Sequence, residues 1–212
     1  MLSYPLSSST PVYGKLKKVE ITYDKAIARG DSCNIASIAL CNHGGTHIDA
    51  PKHFDDRGRS LYEYGIEELI FIAPYLLDCP KGQDEMVLPE ELTGIDKKCD
   101  ILLIRTGFHR FREQEIYRLH NPGISPQAAE YLCANYPNLR AIGIDSLSIS
   151  AFQRREEGRL AHQVLLTRDR PVLLIEDLKL TDDVKGLKRV FAVPLFVEGI
   201  DSLACTVIGE VV

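Results

Sequence analysis

Eight stretches of the chain concentrate Ile, Val, Leu and Phe between polar turns. They are residues 19–23 (VEITY), 34–41 (NIASIALC), 69–78 (LIFIAPYLLD), 100–106 (DILLIRT), 139–145 (LRAIGID), 172–177 (VLLIED), 189–196 (RVFAVPLF) and 204–212 (ACTVIGEVV). Their length and β-branched content predict strands. The runs ILLI and VLLI are continuously apolar rather than alternating, which predicts strands covered on both faces. Helical spacing is rarer. Residues 125–136 place Ser125 as an N-cap, Pro126 at the first helical position and an apolar stripe of Ala128, Tyr131 and Leu132 behind them. Residues 110–120, closed by an NPG turn, and 159–166 are the other two helix candidates. The pattern predicts an α/β fold with a mixed sheet and more strand than helix.

The 212 residues carry no repeat, low-complexity tract or shift in composition, so one domain over 1–212 is expected. Apolar residues make up 45% and charged residues 26%, as in an ordinary globular chain. The net charge is −5 and there is no basic block, which argues against nucleic acid or an anionic membrane surface as partner. The longest apolar run, LIFIAPYLL, is interrupted by proline and far too short to cross a bilayer. The N-terminal residues do not read as a signal peptide. Six cysteines (33, 41, 79, 99, 133, 205) lie scattered with no CxxC pair, an arrangement expected of reduced thiols in a cytoplasmic protein rather than of a zinc ribbon.

One stretch breaks the pattern. HGGTHIDAPKHF, residues 43–54, holds three of the six histidines, an aspartate, two glycines and a proline. It reads as the end of a strand running into a loop, where Gly44 and Gly45 let the chain fold back. His43, His47 and Asp49, spaced H-x-x-x-H-x-D, suit a divalent metal. Imidazole and carboxylate without thiolate point to a catalytic zinc or manganese rather than a structural zinc. Asp49 has two oxygens and could bridge two ions. Pro51 stiffens the exit and fixes the direction of His53.

Elsewhere Glu176 ends the apolar run PVLLIE, where an unpaired carboxylate would be costly, and His162 sits in the apolar LAHQVLL. By sequence alone each is as readily a strand end or a satisfied core histidine as a ligand. His109 and His120 flank the charged segment 110–120 and are expected at the surface. Arg105 is expected to be a structural ion-pair partner. GIDS and GIDSL, each at a strand end, read as turns. No GxSxG elbow is present and no cysteine has a nearby base, which leaves nucleophilic catalysis without support.

The histidine stretch closely resembles the H-x-G-T-H-x-D-x-P-x-H signature of the cyclase family of metal-dependent hydrolases, which includes bacterial kynurenine formamidase (arylformamidase) and isatin hydrolase. ARGDSCNIASIAL, ILLIRTGF, NPGISPQAAEYL, AIGIDSLSIS, LAHQVLL, VLLIEDL and VPLFVEGIDSLACTVI resemble the family's other segments in order and spacing. The resemblance implies a swivelling β/β/α domain that assembles as a homodimer or larger homo-oligomer. It implies His43, His47, Asp49, His162 and Glu176 as metal ligands, with Asp49 bridging, and His53 as the catalytic histidine. Tyr13 is the counterpart of an aromatic residue near substrate. Two departures fall at the pocket: the TRDRPV link before Glu176 is longer than usual, and PVYGK lacks the proline–glycine pair often found there.

The activity implied by the resemblance is that of a cytoplasmic enzyme hydrolysing a C–N amide bond with water activated by one or two divalent ions, zinc or alternatively manganese. The leading substrate is N-formyl-L-kynurenine of the kynurenine pathway of tryptophan catabolism, released as kynurenine and formate. Isatin or another cyclic amide or lactone is the alternative. An inactive metal-bound binding or structural protein is the reading of another class.

Overall fold

A computed structural model describes residues 1–211. Its strands are β1 (Glu20–Lys25), β2 (Ile35–Ala39), β3 (His47–Asp49), β4 (Ile70–Phe71), β5 (Pro74–Asp78), β6 (Met86–Val87), β7 (Ile101–Arg105), β8 (Gly123–Ile124), β9 (Ala141–Ile144), β10 (Leu173–Glu176), β11 (Leu187–Pro194) and β12 (Ser202–Val211). Three α-helices join them: α1 (Glu115–Leu119), α2 (Pro126–Asn135) and α3 (Arg155–Leu166).

Eight strands make one mixed sheet in the order β4-β11-β12-β3-β10-β9-β7-β5. The half from β4 to β10 is antiparallel and the half from β10 to β5 is parallel. β11 also packs against β5, so the sheet curls almost into a barrel. The apolar runs explain the parallel half: Ile101–Ile104 and Leu174–Ile175 have no exposed surface because both faces are covered. One face buries Leu102, Ile104, Ile142 and Leu174 beneath α2 and α3. The other buries Ile101, Leu103, Leu173 and Ile175 with Ile48, Phe71 and Val207.

All eight strand candidates contain strand, with instructive differences. Val212, the last residue of the 204–212 candidate, lies outside the described residues. The candidate 69–78 divides into β4 and β5, because the Asp100 carboxylate accepts from the Ile72 and Ala73 N–H groups at 2.8 and 2.9 Å and holds the chain in a bend. β1 and β2 pair only with each other and lie outside the main sheet. Their residues are all exposed, and the register puts Ile21 opposite Ile38 and Tyr23 opposite Ala36, so this hairpin has one apolar face.

Of the helix candidates, 125–136 appears as α2 with Ser125 Oγ accepting from the Ala128 N–H at 3.1 Å. The candidate 159–166 extends back to Arg155 as α3. The candidate 110–120 is corrected: only Glu115–Leu119 is α-helical, with a short 3₁₀ turn at Phe108–Phe111 and an extended Gln114 between them. Arg112 and Tyr117 are both drawn onto the buried Asp177 carboxylate, at 2.6–2.8 Å, and this contact outweighs a continuous helix.

Candidate metal centre

The histidine stretch, expected as the end of a strand running into a loop, returns to strand before the loop is complete. Its middle is β3, hydrogen-bonded to β10 on one side and β12 on the other. His47 and Asp49, two apart, share a face, and Glu176 stands directly opposite His47 on β10. Gly45 precedes the strand at φ +72, where an added Cβ would lie 2.7 Å from the Leu6 side chain. Its carbonyl accepts from His47 Nδ1 at 2.8 Å, which turns Nε2 inward. α3 supplies His162 in the same way: Nδ1 donates to the Gly158 carbonyl at 2.8 Å, leaving Nε2 toward Glu176. Gly158 itself lies against Ser150, and a Cβ there would collide with the serine side chain.

All five proposed ligands therefore meet. His43 Nδ1 is 3.0 Å from Asp49 Oδ1, and His47 Nε2 is 3.5 Å from the same oxygen and 3.4 Å from Glu176 Oε2. His162 Nε2 is 3.5 Å from Glu176 Oε1. Ligand atoms of His43, His47 and Asp49 lie within 4.8 Å of one another, as do those of Asp49, His53 and His162. A third such group joins His43, His53 and Asp201, and Asp49 is common to the first two. Among the described residues, His47 Nε2 and both Asp49 oxygens are buried with no well-aligned hydrogen bond, facing one another and His43 and Glu176 only as ion-pair contacts. Orphaned polar atoms of this kind are expensive, and an all-nitrogen-and-oxygen donor set is what a divalent cation would satisfy.

Charge reinforces the fit. Burial works against ionising Asp49, but His47 and His43 outweigh it and hold the carboxyl well below the usual carboxylate range. Burial likewise opposes ionisation of Glu176, and His162 and His47 overcome it, lowering the group to about 2. Burial disfavours the imidazolium of His43, yet Asp49 and Asp201 raise it to about 11. His47 and His162 are raised in the same sense, by Asp49 and Glu176 and by Glu176, against their burial. The carboxylates thus favour positive charge at the imidazoles, the same charge a cation would supply.

His53 stands at the edge of this group, its ring 4.2 Å from that of His43. Its Nδ1 lies 2.8 Å from Asp201 Oδ2, and the same oxygen is 3.0 Å from His43 Nε2. Asp201 is the site residue that sequence reasoning missed. It belongs to the turn GIDSL before β12, and the only signal was an acid at the end of an apolar strand. Ser148 was missed as well: its Oγ and the Ile149 N–H both donate to Glu176 Oε1 at 2.8 Å and fix that carboxylate. Tyr13 lines the pocket wall, with its hydroxyl 3.4 Å from Ser150 Oγ.

Two outlying histidines differ. His120 is partly exposed beside Asp84, but the surface expectation for His109 is corrected. Its side chain is only 7% exposed because Nδ1 donates to buried Asp145 at 2.8 Å. Arg105 is structural, forking onto Asp78 and donating to the Thr181 carbonyl.

The cluster opens into a cavity of about 390 Å³ whose apolar wall is Tyr13, Leu16, Phe54 and Leu147. Fold and site together define a domain whose sheet carries a buried histidine–carboxylate centre at the base of a pocket. The chain belongs to the Cyclase family, whose model matches residues 1–151. It is 26% identical to the kynurenine formamidase of Bordetella pertussis over 198 residues, covering 92% of this chain and 88% of that one. Its fold is similar to isatin hydrolase A from Labrenzia aggregata, solved with benzyl benzoate, with a TM-score of 0.85, 24% identity and 99% and 92% of the two chains covered. A structure from Bacillus stearothermophilus, described as a "predicted metal-dependent hydrolase", matches with a TM-score of 0.77 and 26% identity over 98% and 95% of the chains. Among the described residues no helix is long and apolar enough to cross a membrane.

Proposed function

We propose that the chain is a metal-dependent amide hydrolase acting on an N-formylated aryl amine, N-formyl-L-kynurenine plus water giving kynurenine and formate. One observation carries the reading: the buried His47 Nε2 and Asp49 oxygens, without a well-aligned hydrogen bond and ringed by His43, His162 and Glu176, at the base of an aryl-sized cavity. The likeness to a kynurenine formamidase supports the choice of bond.

Zinc, or manganese in its place, would be held by His43, His47, Asp49, His162 and Glu176 as one or two ions. Such an ion supplies Lewis acidity, lowering the pKa of water and polarising a carbonyl. The remaining work falls to side chains of this chain. Asp201 accepts from His53 Nδ1 and so keeps Nε2 as the nitrogen that exchanges protons with reactants. His53 takes a proton from the attacking water and returns it to the leaving nitrogen as the C–N bond breaks. Phe54, stacked on His162 with centroids 5.1 Å apart, shields the ligand from bulk water, and Tyr13, Leu16 and Leu147 receive the aryl ring. Self-association into a homodimer or larger assembly belongs to the same reading, supported by the exposed apolar face of Ile21, Tyr23 and Ile38.

The test is a panel of N-formylkynurenine, formanilide and isatin, run on protein stripped of metal and reloaded separately with zinc and manganese, with formate and ring-opened product measured. Hydrolysis of the formamides, abolished by chelation, is expected. Stoichiometric metal binding with no hydrolysis of any amide or lactam would overturn the reading in favour of a binding protein.

A further inference from the structure

The cavity has a second polar feature besides the centre. Two arginines line its mouth, Arg155 and Arg159, and they differ in one respect. Arg159 is engaged, with Nε and Nη2 on Glu156 and Nη1 on Gln163. Arg155 has no carboxylate partner. Its Nε donates to the Phe152 carbonyl at 3.2 Å; neither Nη group engages a carboxylate or carbonyl among the described residues, and the Tyr13 hydroxyl is the polar neighbour that feels the guanidinium. The guanidinium lies 3.9 Å above the Phe152 ring and 6.0 Å from that of Tyr13.

Stacking on Phe152 is a sufficient structural reason for an arginine at this position, but it uses only the face of the guanidinium. The Nη groups make no hydrogen bond to Phe152 and stay available to an anion. Around it the pocket is prepared for an anion. Burial raises the Tyr13 phenol, with Ser150 and Arg155 partly offsetting the effect, so at neutral pH its hydroxyl is a neutral donor beside the guanidinium. The two acids lining the cavity, Asp49 and Glu176, belong to the metal centre at its base. In a chain of net charge −5, a cation left unpaired at a pocket mouth is conspicuous. An uncharged cyclic amide would leave it idle.

We propose that Arg155, flanked by the Tyr13 hydroxyl, recognises a carboxylate carried by the substrate, so that the site selects aryl amides bearing an anionic side chain over neutral ones. This rests on the amide-hydrolase reading for the word substrate, but not for the binding itself, and the experiment separates the two.

Metal-reconstituted wild type and R155M are titrated calorimetrically with 3-phenylpropanoate and with the uncharged 3-phenylpropanol. Both proteins are also assayed with formanilides that carry, or lack, a carboxylate side chain. Two N–H donors on a carboxylate predict a preference for the anionic member that falls by at least about tenfold in R155M, in affinity and in kcat/KM, mainly through KM. R155K, a point charge without the fork, is expected to recover part of it. A preference that is unchanged in a variant with wild-type thermal unfolding and metal content overturns the proposal, as does a wild type that binds both ligands equally. If neither formanilide is cleaved while the binding preference still falls in R155M, the hydrolase reading fails and the anion site stands. If wild type cleaves both at equal kcat/KM, the anion site fails and the hydrolase reading stands.

Discussion

At the scale of single residues, the centre divides its histidines by what holds their second nitrogen. His47 and His162 are pinned by backbone carbonyls, so their free nitrogens can only point inward. His53 is pinned by a carboxylate, which suits a group that must carry and release a proton. His53→Ala should therefore retain metal, measured by elemental analysis, while kcat falls by about 10²–10⁴-fold. Asp201→Asn replaces an acceptor oxygen with an amide and loosens both His53 and His43. Activity or metal affinity should drop by about 10–100-fold, and metal titration alongside kinetics will show which. His43, His47, Asp49 and His53 were legible because twelve consecutive residues carried them. Asp201 was not, because one acid in a turn has no pattern, and its meaning comes from lying against residues 158 and 148 positions earlier.

At the scale of elements, α3 is placed by the contact of Gly158 with Ser150. Gly158→Ala forces the helix and the Ser150 loop apart, costing about 1–3 kcal/mol in thermal or denaturant unfolding and displacing His162 one turn further on. Asp100→Ala tests the bend between β4 and β5. Two part-buried N–H groups and Arg140 lose their acceptor, and because water can reach Ile72 the loss should be about 1 kcal/mol per hydrogen bond. The apolar runs of β7 and β10 predicted burial correctly because both faces of a parallel strand are covered. The helix expected at 110–120 failed for a reason local spacing cannot contain: Arg112 and Tyr117 serve an aspartate sixty and more residues downstream. Likewise the strand pattern of β1 and β2 was sound, but whether a strand joins the main sheet or a separate hairpin is a tertiary fact. Ile38→Glu on that hairpin should shift light-scattering mass toward the monomer without altering metal content.

At the scale of the whole molecule, the histidine–carboxylate cluster ties charge and folding to the metal binding proposed for it. His43, His47 and His162 hold protons more tightly in the metal-free fold than free histidines do, so an incoming cation must displace them. Metal affinity should thus rise from pH 6 to pH 8, and proton release on binding should appear in calorimetry as a dependence of the heat on the buffer. Saturating metal should raise Tm: a hundredfold excess over Kd adds about 2.7 kcal/mol, which chelation removes. The family model ends at residue 151, short of His162, Glu176 and Asp201. That boundary mirrors the chemistry, since the first half of the chain holds a recognisable motif and the second half makes it a site. β3 lies between two strands from the last forty residues, and its outer partner β12 is preceded immediately by Asp201. A chain growing from its N-terminus exposes the motif early and cannot assemble the whole cluster until Asp201 has emerged. On the metal-dependent reading, a chain stopped before residue 162 would carry the family's signature without the full ligand set.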